Sequence, residues 1–420
     1  MDKKNQDFTL LTGSRLIDGR GGRPIENGVL LIEDDEIKAL GQKGSIRIPE
    51  GASINEIDYP GMTLLPGLVD CHVHLIGIGD GRSGDELSQV PDEVLTLQAS
   101  QNAEAHLFSG VTTVRDLGAK NKTTFMLRLA QQMGIANTPR LILSGRPIAI
   151  IGGHLSYFGT TATGAVEGRA AVRQLLGEGA DFIKITATGG STKTSVPGRP
   201  SFNVDEISAI ADEAHKFGVH VAAHCTNSQG IINALDGGVD TIIHGYHMEP
   251  NGTLTYRREI GERMAKNRIF LNPTLHQGRE RIWQLLTKRD TTELTPSENK
   301  EIDDFEKSWE ERLPFFENLL NDGVKLVAGT DASWMHYKLG GTSMQDEILA
   351  HVHIGLSPME AIVSATGDSA RSCWIDNRVG TLEPGKKADI LVVNGDPSID
   401  IKALRNIQDI YLSGSRVNRK

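Results

Sequence analysis

The sequence predicts an α/β protein in which a (β/α)8 TIM barrel is joined to a small β-sandwich domain built from both chain ends. From Pro66 onward, short apolar segments alternate with helical stretches, which is the pattern of βα units and a parallel sheet. Eight strand candidates can be counted in this region, and eight strands favour a closed barrel over an open sheet. Short strand-like runs between turn-forming residues precede this region and return after Gly380, so the two chain ends are expected to share one β unit.

The strand candidates are separated by segments long enough to hold helices. In chain order they are Gly67–Leu75, Val111–Asp116, Arg140–Ser144, Phe182–Thr186, Val219–His224, Thr241–His244, Ile269–Pro273 and Val324–Asp331. Val204–Phe217 is predicted as an amphipathic helix because its apolar residues recur at helical spacing. Pro358–Ala370 predicts another helix, with Ser357 as its N-cap. The predicted domains are residues 66–378 for the barrel and residues 1–65 and 379–420 for the small β-sandwich.

The segment His276–Asn321, after the seventh strand candidate, is dense in charge and carries embedded tryptophan and phenylalanine residues. One interpretation is a solvated helical excursion. The other is a lid over the barrel mouth, because loops on that face build the functional sites of such barrels. The helical excursion is the preferred interpretation, and the lid stays open as the alternative.

Composition narrows the kinds of partner. The chain of 420 residues has a net charge of −10 and a pI near 5.7, without the clustered lysine and arginine that bind nucleic acid or anionic membranes. Small molecules are the expected partners, and a homo-oligomer is compatible with the sequence. The N-terminus lacks the apolar core of a secretory signal and no apolar run is long enough to span a bilayer, which predicts a cytoplasmic protein. Cys71, Cys225 and Cys373 form no disulfide framework, as expected in a reducing compartment.

The strongest local signal is an apolar strand that ends in two histidines one residue apart, His72 and His74. Side chains alternate along a strand, so both imidazoles face the same side, while Cys71 and Val73 face the other. Both imidazoles can therefore reach one metal ion. An isolated HxH pair is only a moderate signal, because structural or surface histidines are about as common.

The ends of other strand candidates strengthen this signal. His224 and His244 end two apolar runs, and Asp331 ends the last one in the same manner. In a barrel these positions converge on one rim, where catalytic residues are found. Nitrogen and oxygen ligands of this kind suit borderline-soft divalent metals, zinc foremost. A single strand-end histidine is more often a hydrogen-bonded core residue, which is how we interpret His220.

Lys184 lies inside the fourth strand candidate, where an unpaired ammonium would be costly to bury. Without a special role, this lysine would extend out of the barrel end or form a salt bridge with a carboxylate. Cys71 and Cys225 sit next to strand-end histidines and therefore face away from them. Core packing is the preferred interpretation for both thiols.

The order of the strand-end residues resembles that of the binuclear amidohydrolase superfamily. The matching positions are His72 and His74 on strand one, Lys184 on strand four, His224 on strand five, His244 on strand six and Asp331 on strand eight. The resemblance implies two divalent metal ions, with Zn2+ as the expected metal. It also implies that Lys184 is carboxylated by carbon dioxide, so that its carbamate bridges the two ions. The segment Pro384–Val392 is similar to the C-terminal strand of the same family.

Three further motifs are similar to the imidazolonepropionase-like branch, which includes metal-dependent Xaa-Pro (prolidase-like) and Xaa-Arg/Lys dipeptidases. They are Gly110–Asp116, Gly152–His154 and Ile183–Gly190. This resemblance implies cleavage of an amide bond in an N-acyl amino acid or a dipeptide-like substrate. Two departures leave the substrate open. His224 is followed by Cys225-Thr226-Asn227, where many of these dipeptidases carry a tyrosine, and the loop after His154 has no basic residue to hold a substrate carboxylate.

The resemblance also implies a mechanism. One ion would be held by His72, His74, the Lys184 carbamate and Asp331, and the other by the same carbamate with His224 and His244. A hydroxide that bridges the ions would attack the scissile carbonyl, with Asp331 as general base and then general acid. His154 follows two glycines and is a candidate for binding the carbonyl or the tetrahedral intermediate, or else an ordinary loop residue. The open alternatives are a cyclic-amide, carbamate or ester hydrolase, a mononuclear deaminase or imidazolonepropionase-like enzyme, and a non-catalytic barrel scaffold.

Overall fold

Parallel strands followed by helices form the centre of the chain, and strands from both chain ends form a separate sheet. This arrangement is seen in a computed structural model that describes residues 7–47, 53–275, 279–333 and 339–419. The predicted α/β class is therefore confirmed. No helix within these ranges is both long enough and apolar enough to cross a membrane.

The sheet from the chain ends contains eight strands. They are β1 (Asp7–Leu16), β2 (Ile25–Glu26), β3 (Gly28–Glu33), β4 (Glu36–Gln42), β5 (Ser53–Pro66), β14 (Ile390–Asn394), β15 (Ile407–Leu412) and β16 (Ser415–Arg416). The long strand β5 joins the two ends, because it pairs with β1 on one side and with β14 on the other. The expectation that both ends share one β unit is confirmed, whereas the sandwich arrangement and the domain boundaries stay predictions.

The eight central strands all appear where the sequence predicted strands. They are β6 (Leu68–Val73), β7 (Val111–Asp116), β8 (Arg140–Leu143), β9 (Ile183–Thr186), β10 (Val221–Asn227), β11 (Thr241–Met248), β12 (Phe270–Asn272) and β13 (Lys325–Leu326). Every pair among them is parallel. Strand β13 is shorter than predicted, because the backbone from Val327 onward bonds to two different neighbours: Val327 donates to Leu271, and Asp331 donates to His72.

The central strands form two ladders, one of three strands (β6 to β8) and one of five (β9 to β13). Isolated parallel bridges link the ladders at both edges, between Val73 and Ala332 and between Ile148 and Ile185. The ladders are not continuous, so the closed barrel stays a prediction at this point.

Twelve α-helices lie within the described ranges. They are α1 (Gly84–Leu87), α2 (Asp92–Phe108), α3 (Thr123–Gln132), α4 (Gly164–Glu178), α5 (Val204–Lys216), α6 (Ser228–Asp236), α7 (Arg258–Asn267), α8 (Arg279–Arg289), α9 (Pro296–Asn321), α10 (Ser343–His353), α11 (Pro358–Ser364) and α12 (Gly367–Ser372). Helix α5 begins with a capping box, in which Asn203 accepts from the Glu206 amide, and it buries Ile207, Ile210 and Ala214 as its spacing predicted.

The predicted helix Pro358–Ala370 is divided in two. Ser357 caps α11 as predicted, with Glu360 completing the capping box. Thr366 then leaves the helical conformation, with φ −134° and ψ −94°. A Cβ at Gly367 would lie 2.7 Å from the Gly19 carbonyl oxygen, so the glycine allows the chain to restart as α12 close to the β1–β2 connection. The prediction of one continuous helix is wrong at this point.

The predicted excursion after the seventh strand consists of α8 and α9, and residues 276–278 lie outside the described ranges. The two helices share a small apolar cluster of Ile282, Leu285, Leu294 and Ile302. The last turns of α9 bury Phe316 and Leu319 in the core of the five-stranded ladder. The described part of this segment is helical, and the lid stays the alternative.

The two thiols that sit next to strand-end histidines pack in the core, as predicted. The Cys71 Sγ lies 3.2 Å from the Ser372 Oγ and 3.7 Å from the Cys373 Sγ, on the side of β6 opposite to His72 and His74. Cys225 is also completely buried.

Candidate metal centre

All seven residues that the sequence singled out for the site line one cavity of about 280 Å3. They are His72, His74, His154, Lys184, His224, His244 and Asp331, and each side chain is buried. Six of them lie on or after parallel strands, with Lys184, His224 and His244 inside β9, β10 and β11, and the last two of these strands continue past the predicted ends at His224 and His244. The convergence predicted from strand order is therefore present.

The tightest group consists of His72, His74 and Asp331. The Asp331 Oδ1 lies 3.3 Å from the His72 Nε2 and 3.5 Å from the His74 Nε2, and the two imidazole nitrogens are 3.4 Å apart. One ligand atom from each of the three lies within 4.8 Å of the others. Three such atoms around one point are a donor set for a single divalent cation.

The other histidines continue the group across the cavity. The ring centroids of His72 and His244 are 5.6 Å apart, those of His244 and His224 are 4.7 Å apart, and those of His224 and His154 are 4.4 Å apart. The chain therefore offers a second set of nitrogen donors next to the first.

Hydrogen bonds decide which ring nitrogen of each histidine is available to a ligand. The His72 Nδ1 donates to the Asn272 Oδ1 at 3.0 Å, and the His74 Nδ1 donates to the Gly118 carbonyl at 2.8 Å. In the same way, the His244 Nδ1 lies 2.8 Å from the Thr274 Oγ1. In His72 and His74 the Nε2 therefore keeps its lone pair, an arrangement that is usual for metal-binding histidines.

His224 is oriented the other way round, because its Nε2 donates to the Gly189 carbonyl at 3.1 Å. Its Nδ1 is the nitrogen that can accept a metal.

Two of the candidate ligands also have left-handed backbone, with φ 65° at His244 and φ 51° at Asp331. Such non-glycine conformations cost on the order of 1–3 kcal/mol and are concentrated at functional sites.

The strand-end arrangement has counterparts among known proteins. Residues 63–417 match the amidohydrolase family, which is most of the chain. The chain belongs to the amidohydrolase family. The resemblance inferred from the sequence is confirmed, and the protein is a hydrolase that acts on carbon–nitrogen bonds.

Three relatives indicate the branch to which this amidohydrolase is similar. A crystal structure of a Xaa-Pro dipeptidase with bound methionine is 29% identical, with a TM-score of 0.81, and the match covers 98% of this chain and 100% of that one. Ochratoxinase from Aspergillus niger is 24% identical over an alignment of 439 positions that covers 94% of this chain and 83% of the relative. Imidazolonepropionase from Agrobacterium fabrum is 22% identical over an alignment of 423 positions that covers 91% of this chain and 87% of the relative. The predicted prolidase-like and imidazolonepropionase-like branch is thereby confirmed.

Burial keeps the histidines of the amidohydrolase centre neutral. Removal from water lowers the pKa of His72, His224 and His244 well below the usual range, and it lowers the pKa of His74 to about 4. Neutral imidazoles have a lone pair to offer a metal, whereas imidazolium ions would repel it.

Lys184 is the cation at the centre of the amidohydrolase cavity. Its side chain is only 1% exposed, and within the described residues no carboxylate lies within 4.0 Å of its Nζ. Burial lowers its pKa to about 7, although the charge of Asp331 acts in the opposite direction. This lysine therefore neither reaches solvent nor forms a salt bridge with any residue that the structure describes, and these are the two ordinary explanations for a lysine in a buried strand.

His154 is held by a residue that the sequence did not single out, Thr192. The Thr192 Oγ1 accepts the Leu155 amide at 3.0 Å and lies 3.1 Å from the His154 Nδ1, so Nε2 is the nitrogen available to a ligand in the cavity. A Cβ at Gly190 would lie 2.6 Å from the His154 ring, so the second glycine of the Gly189-Gly190 pair makes room for the imidazole.

Sequence reasoning missed three further groups at this amidohydrolase site. Asn272 and Thr274 orient histidines, and both lie at the end of strand β12, so the strand-end rule that found the histidines could have found them too. Tyr246 lines the cavity two residues after His244, with the two rings stacked at 6.0 Å. Nothing in the local sequence distinguishes Tyr246 from a core aromatic residue.

Proposed function

We propose that this amidohydrolase cleaves an amide bond of a small N-acyl amino acid or dipeptide-like substrate at a binuclear metal centre. The observation that carries the proposal is the burial of Lys184 among five histidines and Asp331, without a salt bridge to any described residue. Two metal ions and a carboxylated Lys184 account for this arrangement, whereas a bare ammonium there has no counter-charge within ion-pair distance among the described residues. The amide-cleaving relatives support the reaction type.

The proposal includes a closed (β/α)8 barrel. The backbone bridges at Val73–Ala332 and Ile148–Ile185 join the two ladders on either side, which is the connectivity that closure requires. Closure would bring the carboxyl end of β6 next to Asp331, and the Asp331 amide does donate to the His72 carbonyl at 2.7 Å. The metal site would then lie at the carboxyl ends of the strands, as in other barrels of this kind.

The residues present fit two divalent cations, for which Zn2+ is the expected metal. His72, His74 and Asp331 supply one donor set, and His224 with His244 supply the other. A carbamate on Lys184 would add one oxygen to each set and would replace a buried cation by an anion. Zinc takes four ligands of this kind, with an open position for water or substrate in catalytic sites.

When bound, the two cations would activate a water molecule and polarise the scissile carbonyl. The chain supplies the remaining steps. Asp331 lies in the centre of the cavity, where its carboxylate can accept a proton and pass it to the leaving nitrogen. His154 presents Nε2 to the cavity, with Nδ1 held by Thr192, so it can donate to the oxygen on which negative charge develops. The volume of about 280 Å3 restricts the site to small substrates.

A hydrolysis screen on zinc-loaded enzyme tests the proposal. N-acyl amino acids, dipeptides, carbamates, lactams and lactones would be offered at equal concentration, with amide cleavage expected in the first two classes. Metal analysis should approach two ions per chain, and Lys184→Ala should lose both metal and activity. The exposed Lys266 is the matched control, and Lys266→Ala should keep both. Turnover of the lactams or esters alone would contradict the substrate class.

A mononuclear enzyme is the second candidate, and one observation favours it. The three atoms of His72, His74 and Asp331 already form a compact set, while the remaining donors lie farther across the cavity. One tightly held ion per chain, together with an active Lys184→Ala variant, would establish this alternative and overturn the binuclear proposal.

A further inference from the structure

Helix α9 brings an arginine against Tyr246, a residue that lines the cavity. The Cζ of Arg312 lies 4.8 Å from the centroid of the Tyr246 ring. Tyr246 lines the cavity and stacks on His244, with 6.0 Å between the ring centroids. Tyr246 therefore lies next to both the guanidinium and the ring of a candidate metal ligand.

The guanidinium of Arg312 has no anionic partner in the part of the chain that the structure describes. Neither a carboxylate within 4.0 Å nor a hydrogen-bond acceptor contacts it among these residues, and its recorded contact is the face of the tyrosine. Arg257 shows the contrast, because its Nε and one terminal nitrogen each donate to the Glu249 carboxylate at 2.9 Å. Arg312 thus keeps the planar set of N–H donors that recognises carboxylates in a two-pronged manner.

The turn of α9 that follows Arg312 is fixed by packing. Phe315 meets the His247 ring edge to face at 4.9 Å, and Phe316 is buried in the main core. The side chain of Arg312 is itself partly buried. A cation that is held in place and partly desolvated binds an anion more strongly than a mobile surface cation does.

We propose that Arg312 binds the free α-carboxylate of the substrate, with the Tyr246 ring holding the guanidinium beside the cavity. The inference rests on the proposed function and narrows its substrate class to acyl amino acids and dipeptides with an unblocked C-terminus. In such substrates the carboxylate lies one residue beyond the scissile carbonyl, a span of about 3.8 Å. The loop after His154 offers no basic residue for this task, and α9 supplies one from a distant part of the chain.

Matched acid and amide substrates test the assignment. Glycyl-L-phenylalanine and N-acetyl-L-phenylalanine would each be compared with their C-terminal amides on zinc-loaded enzyme. The wild type should prefer the acids by roughly 10- to 100-fold in kcat/KM, the range of a charge-assisted hydrogen bond. Arg312→Ala should remove this preference by raising KM for the acids while leaving the amides unchanged. Arg312→Lys, which keeps the charge without the planar fork, should restore part of it.

Lys307 on the same helix is the control, because it is an exposed cation without a contact to Tyr246, and Lys307→Ala should keep the full preference. Equal rates for acid and amide in the wild type, or an unchanged preference in Arg312→Ala, would overturn the inference while leaving the proposed function intact. Calorimetric binding of the same acids and amides separates the two ideas. Arg312-dependent binding of the acids without turnover would support the inference and count against the proposed reaction, and equal binding of acid and amide would overturn the inference.

Discussion

The hydrogen bond between Asn272 and His72 gives the most direct test of how the centre is held. Asn272 is completely buried, its Oδ1 accepts from the His72 Nδ1 at 3.0 Å, and its Nδ2 donates to the Val327 and Gly329 carbonyls at 3.2 and 3.1 Å. Asn272→Ala removes all three bonds. The imidazole of His72 would then lose the contact that fixes its tautomer and its ring plane.

Two effects of different size follow from this substitution. Loss of an outer partner of a metal-binding histidine lowers metal affinity by about 10- to 100-fold, which is roughly 1.4–2.7 kcal/mol. Each buried group left without a partner costs about 1–3 kcal/mol of folding stability. The metal-free variant is therefore expected to unfold at lower denaturant concentration and also to bind zinc more weakly than the wild type.

Competition with a chromophoric chelator measures the zinc affinity, and urea denaturation of the metal-free proteins measures the stability. Gln345→Ala is the matched control, because Gln345 is also a buried amide and donates to the Ser109 carbonyl at 2.7 Å, away from the histidines. The control should lose stability and keep its zinc affinity. A zinc affinity of Asn272→Ala within twofold of the wild type, or an equal loss in both variants, would refute the orienting role.

Three further predictions concern the surroundings of the site. A Cβ at Gly329 would lie 2.8 Å from the Cβ of His72. Gly329→Ala should therefore displace His72 and lower zinc affinity by about tenfold in the same competition assay. An unchanged affinity would contradict the close approach. Thr192→Val should lower kcat by about 10- to 100-fold, because His154 loses the hydroxyl that orients its ring. Thr192→Ser keeps that hydroxyl and should largely retain activity. Equal rates in the two variants would count against an orienting role of the hydroxyl. Burial lowers the pKa of His247 to about 4. Below pH 6.5 this histidine therefore binds a proton in the unfolded chain but stays neutral in the folded chain. Stability should consequently fall by about 2 kcal/mol between pH 7.5 and pH 5 on account of His247, and urea denaturation of His247→Gln should show a pH dependence weaker by that amount.

The strands and their order could be predicted from the sequence because each strand is a local apolar run bounded by turn formers. Their lengths could not, because pairing depends on the neighbouring strand. Strand β13 has only two ladder residues, although the predicted segment is four times as long. The break between α11 and α12 was missed for a similar reason. It depends on how closely Gly367 approaches the Gly19 carbonyl, and this contact joins opposite ends of the chain.

The candidate ligands could be predicted because parallel strands bring their carboxyl ends to one rim whatever the details of packing. A residue such as His244 therefore reveals its place through its position in the strand. The positions of Thr192 and Arg312 could not be predicted in this way, because Thr192 lies on a loop and Arg312 on a helix, and tertiary contacts decide where these segments lie. Arg312 meets Tyr246 only because Phe315 and Phe316 seat the end of α9 against the strands.

This difference explains why the sequence indicated a reaction but left the substrate open. The groups proposed to break the bond lie on or next to strands, and the order of the strands along the chain is enough to place them together. The group proposed to recognise the substrate lies on α9, which follows β12 in the chain and buries Phe316 and Leu319 in the core of the five-stranded ladder. Changes in the excursion of α8 and α9 could therefore alter substrate choice while the ligand set stays the same. Exchanging the Arg312 side chain for an apolar one, as in Arg312→Leu, should accordingly shift preference towards neutral substrates without changing the zinc content, and a loss of zinc in that variant would show that α9 also supports the metal centre.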